Sequence, residues 1–393
     1  MVISGYFACD MQSASTADEF QIICDYTLSI EERWPVFNAV WLRTCHTGYA
    51  QVVKRVLKKF YDEDSLSLEA LLRINSKLFA TPDDTSYEAI LDEAKILCRL
   101  ENICTDINKD VIDGTMELLP RSRLVIGLPQ FHLVRSSEDV QRIAGTLGKR
   151  ATNLDEYTNI CRDIFDGYKR FGAVAFKDQS AYIRSLEFDN PTRADAEAVF
   201  NWFIEDPRKS LSCPDGLKPL SDYLFHEFMR MARDMDMPVQ IHTGHLTAMY
   251  NDIRLSNAVH LVRMLELHKD VRFDLFHANW PYNNELLFLA KSYPNVCVNF
   301  CWANIIDPIY CQQLFKQMLS SVPHSKIHGF GSDYVGNTDK AWAHATIARD
   351  NIAIALSDMV SMDYFGIKDA KDVAYAWLFG NANNYYRLEL DPH

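Results

Sequence analysis

A chain of 393 residues is long enough for one large α/β barrel or two ordinary domains, each with a sizeable core. Hydrophobic residues at 48% and charged residues at 24% are the proportions of a folded globular protein and argue against extensive disorder. The 40 basic and 53 acidic residues leave a formal net charge of −13, which repels phosphate backbones and anionic lipid, so neither nucleic acid nor a membrane is expected as a partner.

Within the first 95 residues, QVVKRVLKKFYDED and SLEALLRINSKLF repeat their apolar positions at helical spacing, and Ser65 or Ser67 is a candidate cap for the second. Pro35 and Pro82 are expected where helices begin or end. The one weak strand signal here is VISGYFA at the extreme N-terminus. Residues 1–95 are therefore expected to form a helical segment packed on the remainder of the chain.

From residue 96 onward the texture changes to short apolar runs separated by helical stretches. The runs are NICTD (102–106), RLVIGLP (123–129), GAVAFKD (172–178), PVQIHTG (238–244), VRFDLFHA (271–278), NVCVNF (295–300) and KIHGFGSD (326–333). Most are rich in Val, Ile and Phe, as buried parallel strands are. Segments such as SDYLFHEFMRMARDMDM and SNAVHLVRMLELHKD lie between them and have the length and period of crossover helices. Alternation of this kind predicts a parallel α/β fold, a TIM-type (β/α)8 barrel over residues 96–393. Seven strands are visible where a closed barrel needs eight. No Gly/Ser-rich linker or internal repeat divides the chain, which reads as effectively one domain.

No apolar run reaches the roughly 18 residues of a spanning helix, and the N-terminus lacks a basic stretch followed by an apolar core, which points to the cytoplasm. The ten cysteines contain no Cys-x-x-Cys pair, and Cys297 and Cys301 have no histidine spaced to complete a zinc cage. Reduced, buried thiols are the expectation.

Polar residues at the C-terminal ends of parallel strands converge on one rim, where barrel active sites are built. The runs end on Lys177 with Asp178, His242 with His245, His277 with Asn279, and Asp333. Taken singly, a strand-end histidine is an ordinary hydrogen-bonded core residue and a strand-end aspartate an ordinary helix cap. Together on one rim, imidazole and carboxylate suit zinc, iron or manganese, with an open position for water or substrate. Such a metal lowers the pKa of water from roughly 15.7 to about 7, and an adjacent carboxylate can accept the proton. Asp333 suits both ligand and base, and His277 either a ligand or a separate acid/base. Tyr182 and Arg184 follow the GAVAFKD run, where an arginine fork could clamp an anion or simply form a salt bridge. Asn279 and Trp280 read as pocket wall or as plain packing. Glu285 reads as an orienting group for His277 or, more simply, as a carboxylate at a helix N-terminus.

The order Lys177 in GAVAFKD, His242 in VQIHTGH, His277 in FDLFHANWPY and Asp333 in GFGSDY resembles strands four, five, six and eight of the amidohydrolase superfamily. The nearest likeness is to its amidohydrolase-related branch, which contains uronate isomerases and metal-dependent decarboxylases of aromatic acids. RWPVFNAVWLRTCHTGYAQVVKRVLKKFYD is similar to the helical segment after the first strand in uronate-isomerase-like members. The resemblance implies a metal-dependent barrel hydrolysing a C–N or C–O bond of a small, anionic molecule, with uronate isomerisation and decarboxylation as alternatives. It implies His242, His277 and Asp333 as ligands of a divalent metal, zinc first and iron or manganese next. His277 and Asp333 would be catalytic, and Lys177, Tyr182, Arg184, Asn279 and Trp280 would contact substrate. A homo-oligomer is compatible with this reading.

Family members open with a strand ending in His-x-His, and no two histidines here are two residues apart. GYFACDMQSAS resembles the segment just after that strand, so the barrel is expected to lack strand one, or to replace it with VISGYFA and bring Cys9 or Asp10 to the site. A non-catalytic barrel that binds a ligand or a partner chain is the corresponding alternative.

Overall fold

The computed structural model describes residues 5–78, 84–102, 107–211, 214–334 and 338–391. Six helices precede the first strand: α1 (Phe7–Ser13), α2 (Ala17–Cys24), α3 (Ile30–Thr44), α4 (Gly48–Tyr61), α5 (Leu68–Leu78) and α6 (Asp84–Glu93). Local sequence starts them where side chains can satisfy the free amides of a first turn. Thr16 with Glu19 and Ser29 with Glu32 form capping boxes at α2 and α3, and Thr47 caps α4. Ser67 accepts the Ala70 amide at the start of α5, which decides between the two candidate caps. Pro35 departs from expectation, because it lies inside α3 and not at its end. Pro82 lies outside the described residues.

VISGYFA does not continue as a strand: its first three residues are outside the described part, and Phe7 already opens α1. The apolar side chains of this segment repeat at three and four residues, not two. Phe7 and Met11 of α1 thereby join Val40 and Trp41 of α3 and Tyr49, Val52, Val53 and Val56 of α4 in one buried cluster. That cluster continues into Trp302, Ile305, Ala343 and Ile347, so the helical segment is seated on the later half of the barrel.

Seven parallel strands come next, β1 (Arg99–Asn102), β2 (Ser122–Gly127), β3 (Ala175–Asp178), β4 (Val239–His242), β5 (Phe273–Phe276), β6 (Val296–Asn299) and β7 (Ile327–His328), in one sheet in sequence order. This is a TIM-type barrel with seven strands, and β1 and β7 are its two edges among the described residues. The first strand lies earlier than the run expected at 102–106, of which only Asn102 is described. The strands β2 to β6 cover the centre of their apolar runs, and β7 takes up only Ile327–His328 near the start of the run 326–333.

The residues of β2 to β7 are nearly all buried, whereas the four of the edge strand β1 are half-buried, and the two faces of the sheet differ. Ile126, Phe176, Val239, Ile241, Phe273, Leu275, Val296 and Val298 pack outward into the main core, against helices such as Leu154–Phe171, Pro214–Asp234 and Pro308–Ser321. Alternate residues face the barrel interior, where Lys177, Gln240, His242, Asp274, Asn299 and His328 are polar and Val125 and Ala175 are apolar. Asp274 accepts from Asn299 Nδ2 at 3.0 Å and lies 2.9 Å from His328 Nδ1; the Tyr386 hydroxyl also donates to it, and that hydroxyl accepts from Gln240. Tyr386 closes the C-terminal helix Asn381–Tyr386, so the end of the chain plugs the lower barrel. Burial drives the Asp274 carboxyl up, yet His328, Tyr386 and Asn299 outweigh it and hold the group below the usual carboxylate range.

Candidate functional site

His277 follows β5, Cys301 follows β6 and Asp333 follows β7, and one donor atom from each lies within 4.8 Å of the other two. All three are non-glycine residues with left-handed backbone, at φ +67°, +36° and +55°. A side chain in that conformation is strained, and such residues persist where the surrounding structure over-determines them. The backbone thus reverses at each strand end and turns all three side chains toward one point.

The turns are held by named groups. His344, buried on the helix Thr338–Ser361, lies 3.2 Å from the Cys301 carbonyl after β6 and 3.1 Å from that of Ser332 after β7, and its ring, held neutral by burial, donates its one N–H to one of the two. Asn304 donates to the Gly329 carbonyl at 2.9 Å across the same gap. Thr243 donates to the Phe276 carbonyl at 2.7 Å and ties the end of β4 to that of β5. Gly244, at φ +71°, passes so close to the next loop that a Cβ there would stand 2.5 Å from backbone atoms of Asn279 and Trp280.

His242 sits beside the cluster and was expected in it, but both of its ring nitrogens are engaged. Nε2 lies 2.8 Å from the His245 carbonyl, which can only accept, so Nε2 carries the proton. The bare Nδ1 then accepts from His277 Nε2 at 3.0 Å. By the same logic His277 carries its proton on Nε2 and presents a lone pair on Nδ1, and that atom is buried without a hydrogen-bond partner. The histidine expected as a strand-end ligand therefore fixes the tautomer of its neighbour, a role groups behind a metal ligand commonly have.

Burial, aided by the positive charge of Lys177, pushes His242 down to about 3. Burial and the neighbouring His242 take His277 well below the ordinary histidine value. Both rings are neutral at neutral pH. The side chain of Asp333 borders open space but is crowded by protein, and desolvation raises its carboxyl against the opposing effects of the Tyr6 hydrogen bond and Lys177. Tyr6 donates to that carboxylate at 2.6 Å. Its ring stacks on Trp302 at 4.4 Å and tilts against Tyr334 at 5.0 Å.

Lys177 ends β3 on the interior face, with its ammonium 3.4 Å from the centre of the Phe276 ring. Among the described residues no carboxylate is within ion-pair distance of it. Burial lowers its pKa, and the charge of Asp333 opposes the shift. Tyr182 lies at the rim, with its ring 4.8 Å from His242 and its hydroxyl accepting the Thr247 amide at 3.2 Å. Trp280 meets His245 edge-on at 5.4 Å, and His245 leans on Trp302 at 4.9 Å, forming an aromatic wall beside the cluster.

Two expected substrate contacts are spent elsewhere. Arg184 is buried, with NH1 2.6 Å from Asp222 and 2.9 Å from Ser221 Oγ, while its other nitrogens donate to the Ser185 and Glu187 carbonyls. No part of its fork is left to clamp an anion. Asn279 is wholly buried and joins Ala258, Asn257 and Tyr282, so it staples loops and is not pocket wall. Glu285 occupies the first turn of the helix Asn283–Ser292, which is the simpler of its two expected roles. Asp178 accepts from His132, also buried, and from Ser180. Cys9 and Asp10 are not in the metal-competent cluster.

Sequence reasoning missed Cys301, Tyr6 and His344. Cys301 carried a legible signal, because it follows NVCVNF at the strand-end position that drew attention to His277 and Asp333. Tyr6 and His344 carried none, since each reaches the site from a distant helical region.

The fold and rim define a TIM-type barrel protein with candidate chemistry at the C-terminal ends of its strands. The sequence model of the family described as Amidohydrolase matches residues 209–388, which include β4 to β7, and over that part the chain is similar to the family. It is 26% identical over 232 residues to Protein fluG of Emericella nidulans, and the match covers 56% of this chain and 26% of that longer protein. In fold it is similar to a uronate isomerase from Thermotoga maritima, at 14% identity and a TM-score of 0.78, covering 98% of this chain and 88% of that one. A glucuronate isomerase from Caulobacter crescentus matches at 18% identity and a TM-score of 0.72 over 98% and 88% of the two chains. A metal-dependent hydrolase from Lactobacillus casei matches at 19% and 0.66 over 88% and 86%.

Proposed function

We propose that this chain is a metal-dependent hydrolase of the amidohydrolase type, acting on a small anionic molecule at the C-terminal ends of β3 to β7. The observation that carries the reading is the gathering of one donor atom each from His277, Cys301 and Asp333 within 4.8 Å, together with a buried imidazole nitrogen of His277 that has no partner. Nitrogen, sulfur and carboxylate oxygen are a donor set for zinc first, with iron or manganese next. A divalent ion held by them would supply Lewis acidity and make water a nucleophile at neutral pH.

The remaining steps belong to the chain. Asp333, its carboxyl raised by burial, is suited to accept a proton from the attacking water and return it to the leaving group. Tyr6 steers that carboxylate through its hydroxyl. Lys177 offers a buried cation without a bonded carboxylate, which supports an anionic substrate. Tyr182 and Trp280 would hold the substrate from the rim and the aromatic wall. No helix among the described residues is long and apolar enough to cross a membrane, and the described cysteines are free; both accord with a cytoplasmic enzyme.

The test is metal analysis of the purified chain, followed by assay against small amides, lactones and uronates. About one equivalent of zinc, iron or manganese per chain is expected, lost in His277→Ala together with any hydrolysis. Metal below about a tenth of an equivalent after reconstitution overturns the hydrolase reading in favour of a non-catalytic barrel. Turnover of uronates alone would favour isomerisation.

A further inference from the structure

We infer that Cys301 is a thiolate ligand in the proposed metal centre, which is thereby a nitrogen, sulfur and oxygen site selective for zinc over manganese or magnesium. The inference rests on the metal-dependent reading above and sharpens its ligand set. It replaces the expected second histidine, since His242 has no free nitrogen.

Four observations bear on it. First, Cys301, His277 and Asp333 end three adjacent strands, so one point lies in reach of all three. Second, the Nδ1 lone pair of His277 is buried and unpartnered; an acceptor left so in a protein interior is costly unless a cation or a donor meets it. Third, the thiol has a place made for it. Gly331, in the GFGSD stretch opposite, is so near that a Cβ there would stand 2.9 Å from the Cys301 sulfur. A side chain at 331 would push the thiol off the point it shares with the other two donors. Fourth, the Cys301 backbone is pinned: its carbonyl is 3.2 Å from His344 Nε2 and 3.4 Å from Asn304 Nδ2. Thiolate is a soft donor that favours zinc, whereas manganese and magnesium prefer oxygen, so a sulfur in the set narrows the metal.

Cobalt(II) reports the ligand directly, because a thiolate bound to it gives near-ultraviolet charge-transfer absorption that nitrogen and oxygen ligands do not. Titrating the full metal-free chain should produce this band, saturating at about one equivalent. Cys301→Ser should abolish the band and weaken cobalt binding by more than the roughly 10–100-fold typical of losing a group behind a ligand. Cys9→Ser, which removes another thiol near the rim, should keep both. Cobalt bound without the band, or a band that survives Cys301→Ser, overturns the role of Cys301 and leaves the metal-dependent reading standing. No cobalt or zinc bound by the unaltered chain overturns both. Should circular dichroism show Cys301→Ser unfolded, X-ray absorption on the zinc-loaded Cys9→Ser chain decides. A sulfur neighbour at about 2.3 Å supports the assignment, and nitrogen and oxygen neighbours alone overturn it.

Discussion

Arg184 shows how a residue's surroundings overrule its type. An arginine two positions after a rim tyrosine has the right chemistry for a substrate anion, but this one is buried against Asp222 at 2.6 Å and against Ser221. Removing one partner of a buried ion pair leaves the other charge unsolvated, at a cost of about 3–5 kcal/mol. Lys218 also bonds Asp222 and takes up part of that loss. Arg184→Ala is therefore expected to lower stability by about 3 kcal/mol in urea denaturation, while ligand affinity of the folded fraction is unchanged. A weakened affinity with unchanged stability would restore the clamp role. His242 and His277 make the same point at finer grain. Both are strand-end histidines, and the carbonyl of His245 decides which of them keeps a free nitrogen.

At the scale of elements, the site depends on loops that approach each other closely. The turn after β4 passes the turn after β5 at Gly244, where a side chain would meet backbone on both counts of space and of φ. Gly244→Ala is expected to cost about 2–4 kcal/mol and to shift the segment 277–280. Metal affinity should fall with it, because His277 sits in that segment. A denaturation midpoint within error of the unaltered chain would show that the loops separate more easily than their packing implies. The helices were legible in outline for a different reason. Capping residues and apolar spacing act within a few positions, so Thr16, Ser29, Thr47 and Ser67 mark helix starts from sequence alone. Pro35 departs from expectation because the roughly 3 kcal/mol that an interior proline costs a helix is outweighed where tertiary packing holds α3 through Phe37, Val40 and Trp41.

Over the whole molecule, buried histidines set the response to acid. His268, paired with His226 at 2.7 Å, is pushed down to about 4 mainly by burial. In the unfolded chain it titrates near 6.5. Between those values the unfolded state takes up a proton that the native state refuses, so stability falls as pH falls from about 6.5 to about 4. Each such group contributes a slope of up to about 1.4 kcal/mol per pH unit. Asp178 and Asp274 lie below the ordinary carboxylate value, so their contribution is present at neutral pH and is lost only below about 4. Melting temperature should thus decline steadily from about pH 7 to about pH 4, and His268→Gln should make the decline shallower. An unchanged slope in that variant would mean that His268 is protonated in the native protein.

The sequence by itself determined the alternation of strands and helices, the parallel barrel and the strand ends that bear Lys177, His242, His277 and Asp333. These follow from local rules, the period of apolar residues and the placement of polar residues where a buried run stops. Only the tertiary structure decided which strand-end groups are free to act. Arg184 and Asn279 are consumed by partners that lie 37 and 38 residues away and 21 and 22 residues away respectively, and Tyr6 meets Asp333 across 327 positions. Cys301 owes its candidacy to Gly331, His344 and the unpaired nitrogen of His277. Such pairings are matters of distance after folding, and no spacing along the chain encodes them.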